Sequence, residues 1–137
     1  MIVLANGVFD IFHVGHVRYL QEASYMGTAL FVAVTDDKNV NKGDGRPLFN
    51  ENERLEVVMA MQCVQWAKIF SNVIDALEQW EPAIFVKGRE YEGKIERVHA
   101  DYCKAHGIEI RFTDTETVRP RDRLKGAVLA SQEDEDE

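Results

Sequence analysis

The sequence predicts an α/β protein, a Rossmann-like, doubly wound, five-stranded parallel sheet with helices on both faces. Three observations carry that expectation. Five short apolar runs alternate along the chain with segments of helical period, the order that builds β–α–β units. The runs Ala29–Val34 and Ala83–Val86 are continuous rather than alternating in polarity, the pattern of a strand buried on both faces. The turns that follow the strands carry glycine and charged residues, at the sheet edge where such folds hold ligands.

Taken in order, Ile2 to Val8 reads as the first strand and Gly15 to Met26 as the first helix, with Val17, Leu20 and Ala23 at helical spacing and Gly27 as a stop. Ala29 to Val34 is the second strand, closed by Thr35-Asp36-Asp37. Lys38 to Asn50 has no apolar period and reads as a mobile loop carrying cations, of a length often found over binding sites. Asn50 and Glu53 have the spacing of a capping box, which starts a helix with the stripe Leu55, Val58, Met59 and Gln62. Ala67 to Phe70 is the third strand, Val73 to Trp80 a helix ended by Pro82, and Ala83 to Val86 the fourth strand. Lys94 to His106 is amphipathic through Ile95, Val98 and Tyr102, and Gly107 leads into the fifth strand, Ile108 to Phe112.

At 137 residues and 45% hydrophobic the chain suits one compact domain, expected over 1–118, with an extension over 119–137. Five of the eight net negative charges lie in Glu133–Glu137, so the body is near neutral and the tail is expected to be solvated and disordered. Neither a basic stripe nor a membrane-spanning apolar run is present, so neither a nucleic acid nor a membrane is expected as partner. Cys63 and Cys103, forty residues apart, read as reduced thiols, and the N-terminus lacks a secretory signal pattern; a cytoplasmic location is expected.

The stretch Gly7-Val8-Phe9-Asp10-Ile11-Phe12-His13-Val14-Gly15-His16 falls on the first strand-to-helix turn. A helix start offers unpaired N–H groups and the positive end of the helix dipole, and two imidazoles add donors at the same place. Gly7 and Gly15 would let an anion approach the backbone. A merely structural turn, for which two glycines and two histidines give little packing reason, is one competing reading of His13 and His16, and a zinc half-site is the other. The zinc site is disfavoured because the cysteines are distant and no second histidine pair exists.

The pattern Gly7, Phe9-Asp10 and His13-x-Gly15-His16 resembles the signature of the cytidylyltransferase-like nucleotidyltransferases, and the resemblance runs from Ile2 to about Thr117. It implies transfer of AMP or CMP from ATP or CTP to a phosphorylated sugar or polyol, with release of pyrophosphate. The run Gly45-Arg46-Pro47 and Val86-Lys87-Gly88 look more like the heptose-1-phosphate adenylyltransferases than the glycerol-3-phosphate cytidylyltransferases. Class I aminoacyl-tRNA synthetases share a His-x-Gly-His site, but this chain has no second lysine-rich signature.

The resemblance also implies roles for particular residues. His13, His16, Lys42 and Arg54 are the catalytic candidates, Lys42 as the lysine of a loop that closes over the triphosphate, with Lys38 as its competitor, and Arg54 as a phosphate contact or else a solvent-facing arginine. Gly7, Val8, Phe9, Asp10 and Gly15 would bind the nucleotide, together with Lys87, Gly88, Glu90 and Tyr91 in a turn resembling the family's Gly-x-Asp-aromatic motif. Glu90 stands there in place of the usual Asp, and could instead be a helix-capping acid. Magnesium is expected to ride mainly on the triphosphate, with Asp10 or Asp36 as partners, although Asp36 could equally only start a turn. The family's homodimeric habit is expected as well.

One departure stands out. Where relatives have a Ser-Thr-rich helix start after the fifth strand, this chain reads Glu116-Thr117-Val118-Arg119-Pro120-Arg121-Asp122-Arg123. Pro120 suits the first turn of a helix, so Arg121 and Arg123 either reach the acceptor phosphate or face water beside the tail. The departure also motivates an alternative, a non-catalytic nucleotide-binding or scaffolding module that keeps the fold.

Overall fold

The computed structural model describes residues 1–115 and 117–125; the tail Glu133–Glu137 lies outside the described residues. Five strands, β1 (Ile2–Gly7), β2 (Ala29–Thr35), β3 (Trp66–Phe70), β4 (Ile84–Lys87) and β5 (Glu109–Phe112), form one sheet in the order β3-β2-β1-β4-β5. Every neighbouring pair is parallel. The fold class read from the apolar runs is the fold observed.

Four helices cross between the strands: α1 (Val14–Ser24), α2 (Glu51–Met59), α3 (Val73–Trp80) and α4 (Arg97–Ala105). Alternation along each strand divides the core in two. Val3, Ala5, Ile84 and Val86 face one layer with Leu20, Ala23 and Val58, whereas Leu4 and Phe85 face the other with Ala76, Leu77 and Cys103. This is why the central strands carry no polar alternation: both faces are covered. Trp80 lies edge-on to Phe31 and Phe70, with centroid distances of 5.2 and 5.0 Å.

The capping box of α2 is formed as its spacing requires, Asn50 accepting from Glu53 N at 2.9 Å and Glu53 accepting from Asn50 N at 3.0 Å. Two amphipathic stripes differ from expectation. In α2 the inner face is Arg54 and Val58, one turn apart, while Met59 is exposed and Gln62 lies beyond the helix end. In α4 the helix begins only at Arg97, so Ile95 precedes it, and Val98 is 58% exposed because Cys103 is the residue turned to the core.

The connection that leaves β1 runs to β2 on one side, whereas the connection that leaves β4 runs to β5 on the other. The carboxyl ends of β1 and β4 are therefore the switch point of the sheet, where a crevice opens. Among the described residues, no helix is long and apolar enough to cross a membrane.

Candidate active site

A cavity of about 760 Å³ occupies that crevice. It is walled by the end of β1, the start of α1, the loop after β2, the turn after β4, and the segment 113–121 that leaves β5. Its volume is in the range of small-molecule sites.

The first wall is the glycine-histidine turn. His13 is the N-cap of α1, its Nδ1 accepting from Gly15 N at 3.0 Å, while His16 Nδ1 accepts from His13 N at 3.1 Å. The two imidazoles thus form a reciprocal capping box, with ring centroids 3.9 Å apart. Because each Nδ1 is an acceptor, the neutral ring carries its proton on Nε2, and that N–H is the group left to meet a ligand. Burial, then the adjoining His13 and Lys42, push the His16 pKa down to about 3. Burial, then Lys42 and Arg123, lower that of His13. Both are uncharged donors at neutral pH.

The glycines of the turn serve the rings as much as any ligand. A Cβ on Gly7 would come within 2.9 Å of the Phe9 ring, and one on Gly15 within 2.8 Å of the His13 ring and 3.0 Å of Val118. Phe9 is buried with φ of 57°, a conformation an L-residue holds only under constraint, and its ring lies edge-on to His16 at 5.3 Å.

Two charged residues expected at the ligand have their polar atoms engaged by the protein itself. Arg54 is 1% exposed and does not line the cavity. Its guanidinium donates to the carbonyls of Phe49, Val8 and Thr35 and to Asp37 Oδ1, at 2.7–2.9 Å, tying the ends of β1 and β2 to the loop. The structure therefore places this arginine, expected at the phosphates, in a buried network with Asp37 and with backbone carbonyls whose ladders have ended. The Asp10 carboxylate is likewise occupied, accepting from Leu48 N, Phe49 N and Arg46 Nε at 2.8–3.0 Å. Burial works against its charge, but these hydrogen bonds lower its pKa overall. Asp10 lines the cavity but its oxygens pin the loop and leave no free face for a metal.

Asp36 has its own partners. It lies outside the cavity lining, caps a 3₁₀ turn through Asn39 N, and accepts from Ser71 Oγ at 2.7 Å. Among the described residues no group of three or more His, Cys, Asp or Glu side chains is arranged to hold a metal ion. Of the two loop lysines, Lys42 lines the cavity and Lys38 does not.

On the β4 side Lys87, Gly88, Glu90 and Tyr91 all line the cavity, as do Gly7, Val8, Phe9 and Gly15. Lys87 donates to Asn6 Oδ1 at 3.0 Å and lies 4.2 Å from the Tyr91 ring centre, and burial lowers its pKa. Arg121 reaches the cavity wall; Arg123 does not, although its charge is felt by His13. The segment 117–121 straddles the expected domain edge at 118, so the extension contributes to the wall.

Several lining residues were not anticipated. Tyr19 follows His16 by three positions on the same face of α1, and its buried hydroxyl donates to Val86 O at 2.6 Å. Thr113, Thr115 and Thr117 alternate through Thr-Asp-Thr-Glu-Thr and all reach the cavity, so hydroxyls are present, two of them just before and one within the stretch that departs from the expected Ser-Thr-rich helix start. That period of two was visible in the sequence. Arg46 and Arg119 complete the cationic rim.

Comparison with known proteins agrees with this geometry. A family model described as cytidylyltransferase-like matches residues 4–123. The bifunctional protein HldE of Azotobacter vinelandii is 43% identical over 114 residues, covering 80% of this chain and 24% of that protein. HldE of Ectopseudomonas mendocina is 40% identical with the same coverage. The chain thus spans about a quarter of the length of these relatives. Among solved structures, the lipopolysaccharide core biosynthesis protein of Thermoplasma volcanium matches with a TM-score of 0.72 at 28% identity, over 85% of this chain and 98% of that one. The pantothenate synthetase of Thermus thermophilus, at 12% identity and a TM-score of 0.60 over 86% of this chain and 56% of that one, shares the fold alone. With the glycine-histidine turn at the switch point of a parallel sheet and a family model running across both, the chain belongs to the cytidylyltransferase-like family.

Proposed function

We propose that this protein transfers a nucleotidyl group from ATP or CTP to a phosphorylated sugar or polyol, releasing pyrophosphate, with ATP and a sugar 1-phosphate as the first pair to test. The observation that carries the reading is the pair of neutral imidazoles, each with Nδ1 tied to a backbone N–H and each lining the cavity at the start of α1. Relatives named HldE and a neighbour named for lipopolysaccharide core biosynthesis support a sugar phosphate as acceptor.

The acceptor's phosphate is mostly dianionic at neutral pH, its second pKa being about 6, so its oxygen attacks the α-phosphorus without a general base. The bond from the α-phosphorus to the bridging oxygen breaks, and pyrophosphate leaves with the electron pair. The Nε2–H groups of His13 and His16 donate to the α-phosphate oxygens as charge gathers there. Donors held by the backbone need no reorganisation, and uncharged rings remain donors across the neutral range. Lys42, Arg119 and Arg121 line the cavity; in this reading Lys42 accompanies the leaving pyrophosphate and the two arginines hold phosphate oxygens. Magnesium enters this reading on the triphosphate oxygens, since the carboxylates of Asp10 and Asp36 are already engaged.

The test is pyrophosphate release with ATP and CTP against a panel of sugar and polyol phosphates, with and without magnesium. Binding of neither nucleotide defeats the reading. Nucleotide binding without turnover on any acceptor favours the non-catalytic module.

A further inference from the structure

The far wall of the cavity is formed from residues 113–115 and 117–121, and among these sheet pairing does not extend past Thr113. The β4–β5 register ends at Lys87 and Phe112, with one further bond from Thr113 N to Lys87 O at 3.1 Å. Beyond that the backbone donors need other partners. Glu22, in the last turns of α1, supplies them: its carboxylate accepts from Asp114 N at 2.6 Å, from Thr115 N at 3.2 Å and from the Thr115 hydroxyl. Those contacts join residues more than ninety positions apart. Although burial opposes the charge, these bonds hold the Glu22 carboxyl below its usual range.

The direction of the segment follows from this anchor. Thr115 sits against Glu22, and three residues later Val118 packs against Gly15, in the histidine turn itself. The chain therefore runs back along α1, over the roughly 10 Å that seven helical residues span. That course carries Arg119 and Arg121 to a rim already occupied by Lys42 and Arg46, and sets Arg123 where its charge reaches His13. Without an anionic ligand these cations repel one another. Something must hold the segment in place, and three single hydrogen bonds from the β4 side accompany the Glu22 anchor: Arg89 Nη1 to Asp114 O at 3.0 Å, Arg89 N to Thr113 Oγ1 at 3.3 Å, and Thr117 Oγ1 to Glu90 at 2.8 Å.

We propose that Glu22, which does not line the cavity, is a positioning residue: it latches Asp114 and Thr115 to α1 and so keeps Arg119 and Arg121 preset over the phosphate site before any ligand arrives. Its kinetic consequence rests on the nucleotidyl-transfer reading; its conformational consequence does not. Preset arginines spare the ligand the cost of ordering them, so the latch acts on affinity. Once a triphosphate is bound, its own charge draws the segment back, and the chemical step is little affected.

The experiment uses the full chain and the variant Glu22→Gln, which keeps the shape but turns an NH₂ group towards backbone donors. Trypsin cleavage after Arg121 and Arg123 in the ligand-free protein is expected to speed up by about tenfold, the order that follows from losing hydrogen bonds to a charged acceptor. Magnesium with ATP or CTP should bring the rate back to that of wild type. In turnover, KM for the nucleotide should rise about tenfold while kcat stays within about threefold. Glu22→Asp, which keeps both oxygens on a shorter arm, should fall between. Unchanged cleavage overturns the latch, and so does a kcat that falls with KM unchanged. Should wild type turn over no acceptor at all, the functional reading fails while the ligand-free cleavage rates still decide the latch.

Discussion

Replacing Arg54 separates two roles that look alike in sequence. A phosphate contact would cost nucleotide binding and leave the ligand-free fold alone. The structure requires the opposite. Arg54→Met keeps length and removes the donors, so the carbonyls of Val8, Thr35 and Phe49 and the carboxylate of Asp37 each lose a charged partner at 2.7–2.9 Å. Hydrogen bonds to charged groups contribute about 1.5–3 kcal/mol each, but they act as one network and Asp37 regains water, so a simple sum overstates the loss. The usual cost of breaking a buried charged network, about 3–5 kcal/mol, is the better figure. A domain of this size is stable by about 5–15 kcal/mol, so the variant still folds, with a much reduced margin. Urea unfolding followed by tryptophan fluorescence suits the measurement, because Trp80 is packed between Phe31 and Phe70. With a slope of about 1.5 kcal/mol/M, the midpoint should drop by roughly 2–3 M in the absence of ligand. Arg54→Lys, which keeps the charge but not the fork, should fall by less. If Arg54→Met unfolds at the wild-type midpoint and instead raises the nucleotide KM, the buried network is not what this arginine is for.

Two further outcomes follow from the same geometry, and a third from the family resemblance. His16→Ala should lower turnover by about a hundredfold or more with nucleotide affinity less affected, since a donor aimed at developing charge is removed; unchanged steady-state turnover would return the histidine to a packing role. Stability should fall in acid, because His13 and His16 have folded pKa values below the unfolded value near 6.5: the unfolded chain takes up more protons, so stability present above pH 6.5 is lost as pH falls, for His16 down to about 3. For half-buried His16 this is about 1–2 kcal/mol at pH 5, read from urea midpoints at pH 5 and 7.5, and a flat midpoint over that interval contradicts the assignment. Finally, the chain should sediment as a homodimer at micromolar concentration, and a species of 15.7 kDa alone contradicts that expectation.

The sheet, its parallel sense and the place of the histidine turn were legible in the sequence because the information is local. Apolar runs without alternation require cover on both faces, the Asn50–Glu53 spacing closes a capping box within one helical turn, and His13-x-Gly15-His16 sets two imidazoles at one helix start. The partners of the charged residues were not legible, because they lie far along the chain. Arg54 and Asp10 looked like ligand contacts and are spent on loop and strand ends at separations of up to 46 and 39 residues, which only the packing of α2 against the ends of β1 and β2 brings within reach. Asp36 sits at a strand's carboxyl end as expected, but on β2, turned to Ser71 and away from the crevice between β1 and β4. Tyr19 and the threonines after β5 carry signals of period three and two, yet neither period says which side faces a cavity until the sheet order is known. A sequence states which groups can donate, accept or carry charge; which of those capacities remain free for a ligand is decided when the tertiary fold has used up the others.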